Sequence, residues 1–333
     1  MDLGRYEKHV LLEEIGEEGQ RKLMKSSAAI IGCGALGGMI ASLLARAGIG
    51  KLIVVDRDFV EMKNLHRQIL FDEEDAVNMT PKAVAAMEKL RKMNSSIEVE
   101  AMVVDVNPSN VEEIVESVDI IMDGTDNLET RFLINDACIK HNKPWVYGAV
   151  VETEGMTMGI VPHETACLRC FLPFAPGGNT CDTSGVLSMA ATTIASLQAT
   201  EAIRILVGEG ARGEAIHLDV WSGSVVPIKV ERNPECVACG KGEYEFLDSS
   251  RYSSARILCD GKTVQIIPGS PIPSLQKLAE RLERVGKVER GRHVLKFKTE
   301  REEMIIFEDG RALITNAGSV ERAKALYAKY VGT

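Results

Sequence analysis

Short apolar runs separated by helix-length amphipathic stretches set the pattern of the first 150 residues. The runs at 28–31 and 51–55 read as strands, the first entering a glycine cluster and the second ending at Asp56. Residues 36–47 are rich in small side chains and predict a helix. A further helix is predicted over 81–93, with Pro81 in its first turn and Thr80 as N-cap. Strands follow at 97–104 and at 118–122, the latter ending at Asp123, then a helix over 128–140 and a strand over 145–151. Upstream, residues 2–25 read as helical, with apolar positions at Leu11, Leu12, Ile15 and Leu23. Strand and helix in alternation predict an α/β fold, a Rossmann-like and mostly parallel sheet with helices on both faces.

The pattern changes after 155. Residues 156–161 alternate and suit an added strand, 187–207 carry a helical period, and 215–220 with 225–230 read as a closing antiparallel pair. A polar stretch with Gly, Ser and charge over 241–254 reads as a linker. It divides a domain of residues 1–240 from a small C-terminal α/β domain of 255–333. In that domain strands are expected at 263–267, 294–297 and 304–307, and helices at 274–285 and 319–330.

Composition narrows the class. The chain has 333 residues, 45% hydrophobic and 26% charged, which suits two domains with sizeable cores. A net charge of −9 argues against a non-specific nucleic-acid binder, which needs clustered cations. No segment approaches the roughly 18 apolar residues of a membrane helix. Residues 1–8 carry both charge signs and no apolar signal core, so the protein is expected in the cytoplasm. The eight cysteines are then expected to be mostly reduced.

Gly32, Gly34 and Gly37 have dinucleotide-loop spacing after a strand and before a helix, which suits phosphate on backbone N–H groups. Asp56 stands 19 residues beyond Gly37 at a strand end, where ribose hydroxyls are held. These residues alone indicate a nucleotide and leave a NAD-dependent oxidoreductase open. Asn64, His66, Arg67 and Gln68 follow in a polar stretch. Lys82 opens a helix, and Asp123-Gly124-Thr125-Asp126-Asn127 follows a later strand, with Asp126 placed to cap the next helix. Two cations, a carboxylate and amides at strand ends are the equipment for a triphosphate with Mg²⁺, which a dehydrogenase does not need.

Cys167 and Cys170, with Cys236 and Cys239, form two C-x-x-C pairs able to close a four-thiolate zinc site with no open position. A redox dithiol is the competing reading, but one pair would suffice for it. Cys181, in a glycine-rich loop, reads from the residues alone as an ordinary cysteine.

These motifs, with Arg5-Tyr6, Asp56-Arg57-Asp58 and Ser196 to Ala202, resemble the ThiF/MoeB/HesA adenylyltransferases, relatives of ubiquitin-activating enzymes. The resemblance covers residues 1 to about 240. The C-terminal residues resemble the extension of ThiF-type proteins of Gram-positive bacteria. The resemblance implies ATP-dependent adenylation of the C-terminal Gly carboxylate of a ubiquitin-like sulfur carrier ending in Gly-Gly. The carrier would be ThiS-like, for thiamine thiazole synthesis, or alternatively the MoaD-like small subunit of molybdopterin synthase. It further implies that Asp56 binds the ATP ribose. Arg67 and Lys82 would hold the phosphates with Asn64 and Gln68 beside them, Asp58 and Asn127 would also bind the nucleotide, and Asp126 would bind the Mg²⁺. Arg5 would reach into the partner's site of a homodimer, and Cys181 would be the crossover-loop cysteine used by some members for covalent attachment. His66 stands where several relatives carry Gln. The Cys259-Asp260-Gly261-Lys262 segment does not resemble a persulfide loop, so a separate sulfur donor, a cysteine desulfurase or sulfurtransferase, is expected.

Overall fold

The computed structural model describes residues 3–173, 185–248, 255–257, 262–267, 274–291, 293–299 and 302–332. The first sheet has eight strands: β1 (Ser27–Ile31), β2 (Lys51–Val55), β3 (Glu98–Met102), β4 (Ile120–Asp123), β5 (Trp145–Val151), β6 (Glu154–Ile160), β7 (Glu214–Asp219) and β8 (Ser224–Lys229). Their spatial order is β3-β2-β1-β4-β5-β6-β7-β8. The pairs from β3 through β5 are parallel, and those from β5 through β8 are antiparallel. The parallel core with added antiparallel strands matches the pattern of buried runs followed by alternating ones. In the centre, β1 lies between β2 and β4, with Ile31 opposite Val55 on one side and Asp123 on the other. The strand order reverses about β1, which opens a crevice at the carboxyl ends of β1 and β4.

The helices are α1 (Glu7–Val10), α2 (Gly16–Leu23), α3 (Ala35–Ala47), α4 (Glu73–Val77), α5 (Lys82–Met93), α6 (Val111–Glu116), α7 (Leu128–Lys140), α8 (Leu168–Phe171), α9 (Ser188–Val207), α10 (Leu275–Leu282) and α11 (Val320–Tyr330). The helix expected over 2–25 is interrupted. Gly16 takes φ +61, α1 and α2 are separate, and Leu11 and Leu12 are exposed. α1 ends at Val10, and turns over residues 11–15 precede α2, which opens at Gly16. Pro81, and not Thr80, immediately precedes α5. α3 is apolar on nearly all sides because it is covered both by the sheet and by α9 and α5. One large core joins Ile31, Val55, Ile121, Phe132, Trp145 and Ile160 to the buried cysteines 167, 236 and 239. Burying each large apolar side chain contributes about 1.5–3 kcal/mol, which holds the strand ends in place.

The polar stretch from 241 begins as packed structure. Phe246 donates its N–H to Asp136 on α7 at 3.1 Å, and its ring lies 5.0 Å from that of Phe132.

A second compact unit contains residues 250–333 together with Phe59–Met62 and Glu73–Pro81. Its six strands are β9 (Ala255–Ile257), β10 (Thr263–Ile266), β11 (Lys287–Arg290), β12 (Val294–Lys298), β13 (Glu303–Phe307) and β14 (Ala312–Thr315), in the order β11-β12-β13-β14-β10-β9. Every pairing among its described residues is antiparallel. Residues of α10 and α11 pack on one face of this sheet with Phe297, Ile306 and Ile314. β9, β11 and β14 are short and carry little alternation, so the pattern of apolar positions does not mark them.

Candidate functional site

The crevice at the carboxyl ends of β1, β2 and β4 is a cavity of about 400 Å³. Its glycines have separate reasons to be glycine. Gly32 takes φ +86, and a Cβ on Gly37 would lie 1.8 Å from the Gly32 carbonyl oxygen, so the turn and the start of α3 admit no side chain. Gly34 is different. A Cβ there would meet only Gln68 Nε2, at 3.7 Å, and the residue lines the cavity. The space above Gly34 is therefore open for a ligand that approaches the backbone closely.

Asp56 ends β2 and ties the glycine turn to the next loop. Its Oδ2 accepts Cys33 N–H at 2.6 Å and its Oδ1 accepts Asp58 N–H at 2.7 Å. Burial pushes its carboxyl above the usual range, against the opposing pull of Lys82. Lys82 is 6% exposed, with Nζ 3.5 Å from Asp58 Oδ2. Burial alone pulls the lysine down, but Asp58 and then Asp56 more than offset it and keep the ammonium charged. Among the described residues Arg67 makes long contacts, 3.5 Å to the Lys63 carbonyl and 3.4 Å to Asn64 Oδ1, which leave guanidinium donors for an anion. Gln68 is buried against the cavity, and its Oε1 meets no partner among the described residues.

Of the residues singled out from the sequence, Gly32, Gly34, Asp56, Asp58, Arg67, Gln68, Lys82, Asp126 and Asn127 all line this one cavity, as does His66. Gly37 stands behind the turn. Asn64 is buried beside Arg67 without lining the cavity. Asn127, and not Asp126, caps α7, its Oδ1 accepting Thr130 N–H at 2.9 Å. Asp126 is exposed at the rim. Arg5 is not among the lining residues and bonds the Met93 carbonyl at the end of α5 at 3.1 Å. Cys181 lies outside the described residues.

Sequence reasoning missed a buried pair, Asp123 with Arg131, of which Arg131 lines the cavity. Arg131 Nε lies 3.1 Å from Asp123 Oδ2, and Arg131 also bonds the Thr125 carbonyl at 2.7 Å. The other oxygen of Asp123 accepts Thr125 N–H and Oγ1–H at 2.9 and 2.7 Å. The pair thus holds the Gly124–Asn127 turn. The available signal was an arginine four residues into a helix, against the helix dipole, which calls for a specific anion. Arg57, bonded to Asp105 at 2.8 Å, closes the cavity's far end beside Val104 and Val106.

Apart from this cavity, the four cysteines 167, 170, 236 and 239 meet, with all Sγ atoms within 4.8 Å of one another. Cys167 Sγ lies 3.9 Å from that of Cys170 and 3.6 Å from that of Cys236, and Cys170 Sγ lies 3.4 Å from that of Cys239. A tetrahedron of sulfurs about 2.3 Å from a zinc ion has edges of about 3.8 Å. The donor set and spacing therefore fit a zinc ion. Asn233 N–H also points at Cys170 Sγ, at 3.4 Å, as a donor supporting a thiolate.

No helix among the described residues is long and apolar enough to cross a membrane. The fold resembles that of MccB from E. coli, solved with MccA-N7isoASN, at a TM-score of 0.64 and 23% identity over 72% of this chain and 75% of that one. In sequence the chain is 38% identical over 334 residues to the "Sulfur carrier protein ThiS adenylyltransferase" of Bacillus subtilis (strain 168), covering 99% of each. It is 37% identical to the "SAMP-activating enzyme E1" of Haloferax volcanii, covering 75% of this chain and 93% of that protein. Residues 6–238 match the ThiF family. With the crevice and its cations inside that span, the chain belongs to the ThiF family.

Proposed function

We propose that the chain uses ATP to adenylate the C-terminal Gly carboxylate of a ubiquitin-like sulfur-carrier protein of the ThiS type, for thiamine thiazole synthesis. The observation that carries this reading is the end-to-end match to a ThiS adenylyltransferase, with 99% of both chains covered. The same chemistry on the small subunit of molybdopterin synthase is the second reading. It is favoured by 40% identity over 243 residues to a maize protein named "Adenylyltransferase and sulfurtransferase MOCS3-1", of whose length the chain covers 52%.

The carrier's carboxylate is ionised near neutral pH, so it needs no general base. Its oxygen bonds to the α-phosphorus of ATP as the bond to the β-phosphate oxygen breaks, giving an acyl adenylate and pyrophosphate. The obstacle is an anion approaching a polyanion. Lys82, held charged inside the cavity, and Arg67, with uncommitted donors, oppose that repulsion and stabilise the leaving pyrophosphate. Open backbone at Gly34 lets the phosphates approach, and Asp56 and Asp58 face the ribose. Asn64, Gln68 and Asn127 complete the polar lining. Asp126 at the rim would hold Mg²⁺, which when bound neutralises triphosphate charge. In a homodimer, Arg5 would serve the partner's cavity. Cys181 would be the residue for any covalent attachment to the carrier, its thiolate displacing AMP from the acyl adenylate, and a separate cysteine desulfurase or sulfurtransferase would supply the sulfur. A zinc ion held by Cys167, Cys170, Cys236 and Cys239 would have no open position, and its role would be structural.

Carrier-dependent ATP–pyrophosphate exchange tests the site. Lys82→Ala and Arg67→Ala should each abolish exchange with zinc content unchanged. Normal turnover in either variant would refute the assignment.

A further inference from the structure

We infer that the C-terminal unit anchors the nucleotide site, by gripping the two chain segments that flank its phosphate-binding residues. The inference rests on the reading of the cavity as the ATP site. Between Asp58 and Lys82 the chain changes unit four times. Phe59–Met62 and Glu73–Pro81 belong to the second unit, while Lys63–Asp72, which carries His66, Arg67 and Gln68, belongs to the first. Asp58 and Lys82 thus end one segment of the first unit and begin another, and each is covalently joined to a residue of the second unit.

The gripped segments are core to the second unit. Phe59 is 8% exposed and clusters with Val294, Phe307 and Leu313, against Met79 and Ile305. Its ring centroid lies 6.4 Å from that of Phe307. The Arg311 guanidinium lies over the Phe307 ring, 3.8 Å from its centroid. Gly291, in the turn between β11 and β12, lies against Asn78 and Met79, with a Cβ position 3.3 Å from atoms of each. The two segments also pair with each other. Phe59 and Pro81 form an antiparallel bridge, with Val60 N–H on the Thr80 carbonyl at 2.9 Å. The next rung is Lys82 N–H on the Asp58 carbonyl, also 2.9 Å. One short ladder therefore begins in the apolar cluster and ends on the two cavity residues whose side chains meet at 3.5 Å.

Phe59 and Phe307 touch no part of the cavity and act as positioning residues. Loosening their cluster frees the ladder, and with it the spacing of Asp58, Lys82 and the Arg67 segment. Loosening the opposite, helix-covered face of the same sheet leaves the ladder gripped. Leu278 on α10 belongs to that opposite face.

The test uses the full chain and reads the Kd for ATP by calorimetry without any carrier, together with KM and kcat in exchange. Phe307→Ala should raise Kd and KM for ATP fivefold or more, with kcat changed less than KM and zinc content unchanged. Phe307→Leu, which keeps most of the volume, should restore much of the affinity and serves as the graded case if the alanine variant does not fold. Leu278→Ala should keep Kd within twofold. An unchanged Kd in Phe307→Ala would overturn the proposal. An equal rise in Leu278→Ala would also overturn it, because the effect would then be one of general stability. Failure of the unmodified chain to bind ATP would remove the reading of the cavity, and the anchor with it.

Discussion

Replacing Arg131 with Met strips a wholly buried carboxylate of its cation. The Asp123 side chain is 0% exposed and that of Arg131 is 6%, with 3.1 Å between Nε and Oδ2. Removing one partner of a buried pair costs about 3–5 kcal/mol. Three donors remain on Asp123, from Thr125 N–H, Thr125 Oγ1–H and Gly148 N–H, so the expected loss lies near the low end, about 3 kcal/mol. Burial already pushes the Asp123 carboxyl above the usual range, with Arg131 the first opposing influence. Without the guanidinium it rises further. A carboxyl whose folded-state pKa exceeds its unfolded value takes up a proton more readily when folded. The deficit of Arg131→Met should therefore shrink as pH falls from 8 toward 5, and be largest above the raised pKa. Adding Asp123→Asn removes the stranded charge, so the double variant should be more stable than Arg131→Met alone at pH 8. Urea unfolding followed by tryptophan fluorescence reports this, since Trp145 is fully buried on β5. A deficit below about 1 kcal/mol, or one that grows as pH falls, would refute the reasoning.

Gly34→Ala should fold with nearly unchanged stability yet lose ATP binding, because the added methyl group meets little protein and takes up ligand space. Gly37→Ala should lose stability first, since its methyl group would collide with the Gly32 carbonyl; equal stability in the two variants would contradict this account of the loop. Zinc analysis should find one ion per chain and lose it in Cys236→Ser. The melting temperature should fall with it, at about 2–4 °C per kcal/mol for a unit of this size; an unchanged melting temperature would remove the structural role of the four cysteines.

The parallel core was readable because fully buried strands are continuous apolar runs and each central strand ends on a glycine or an acid. The cavity residues were readable because Asp56, Lys82 and Asp126 fall at strand and helix ends, where the fold gathers side chains. What escaped reading was long-range. The Asp123–Arg131 pair depends on the tertiary path of α7. Asn127 took the cap over Asp126 because its side-chain oxygen reaches Thr130 N–H, a choice that spacing alone leaves open. Residues 59–62 and 73–81 fall in the stretch between the strand at 51–55 and the helix at 81–93, yet Phe59 is core to a sheet formed more than two hundred residues later. The break between α1 and α2 spans residues 11–15, where Leu11 and Leu12 are apolar yet exposed and so gave the helical period a false continuation.

The most direct test of the central claim is ATP–pyrophosphate exchange by the purified, zinc-loaded chain. It is offered in turn a ThiS-type carrier and a molybdopterin-synthase small subunit, both ending in Gly-Gly. The account predicts exchange that depends on the carrier and is faster with the ThiS type. No exchange with either carrier, in protein that binds ATP, would contradict it.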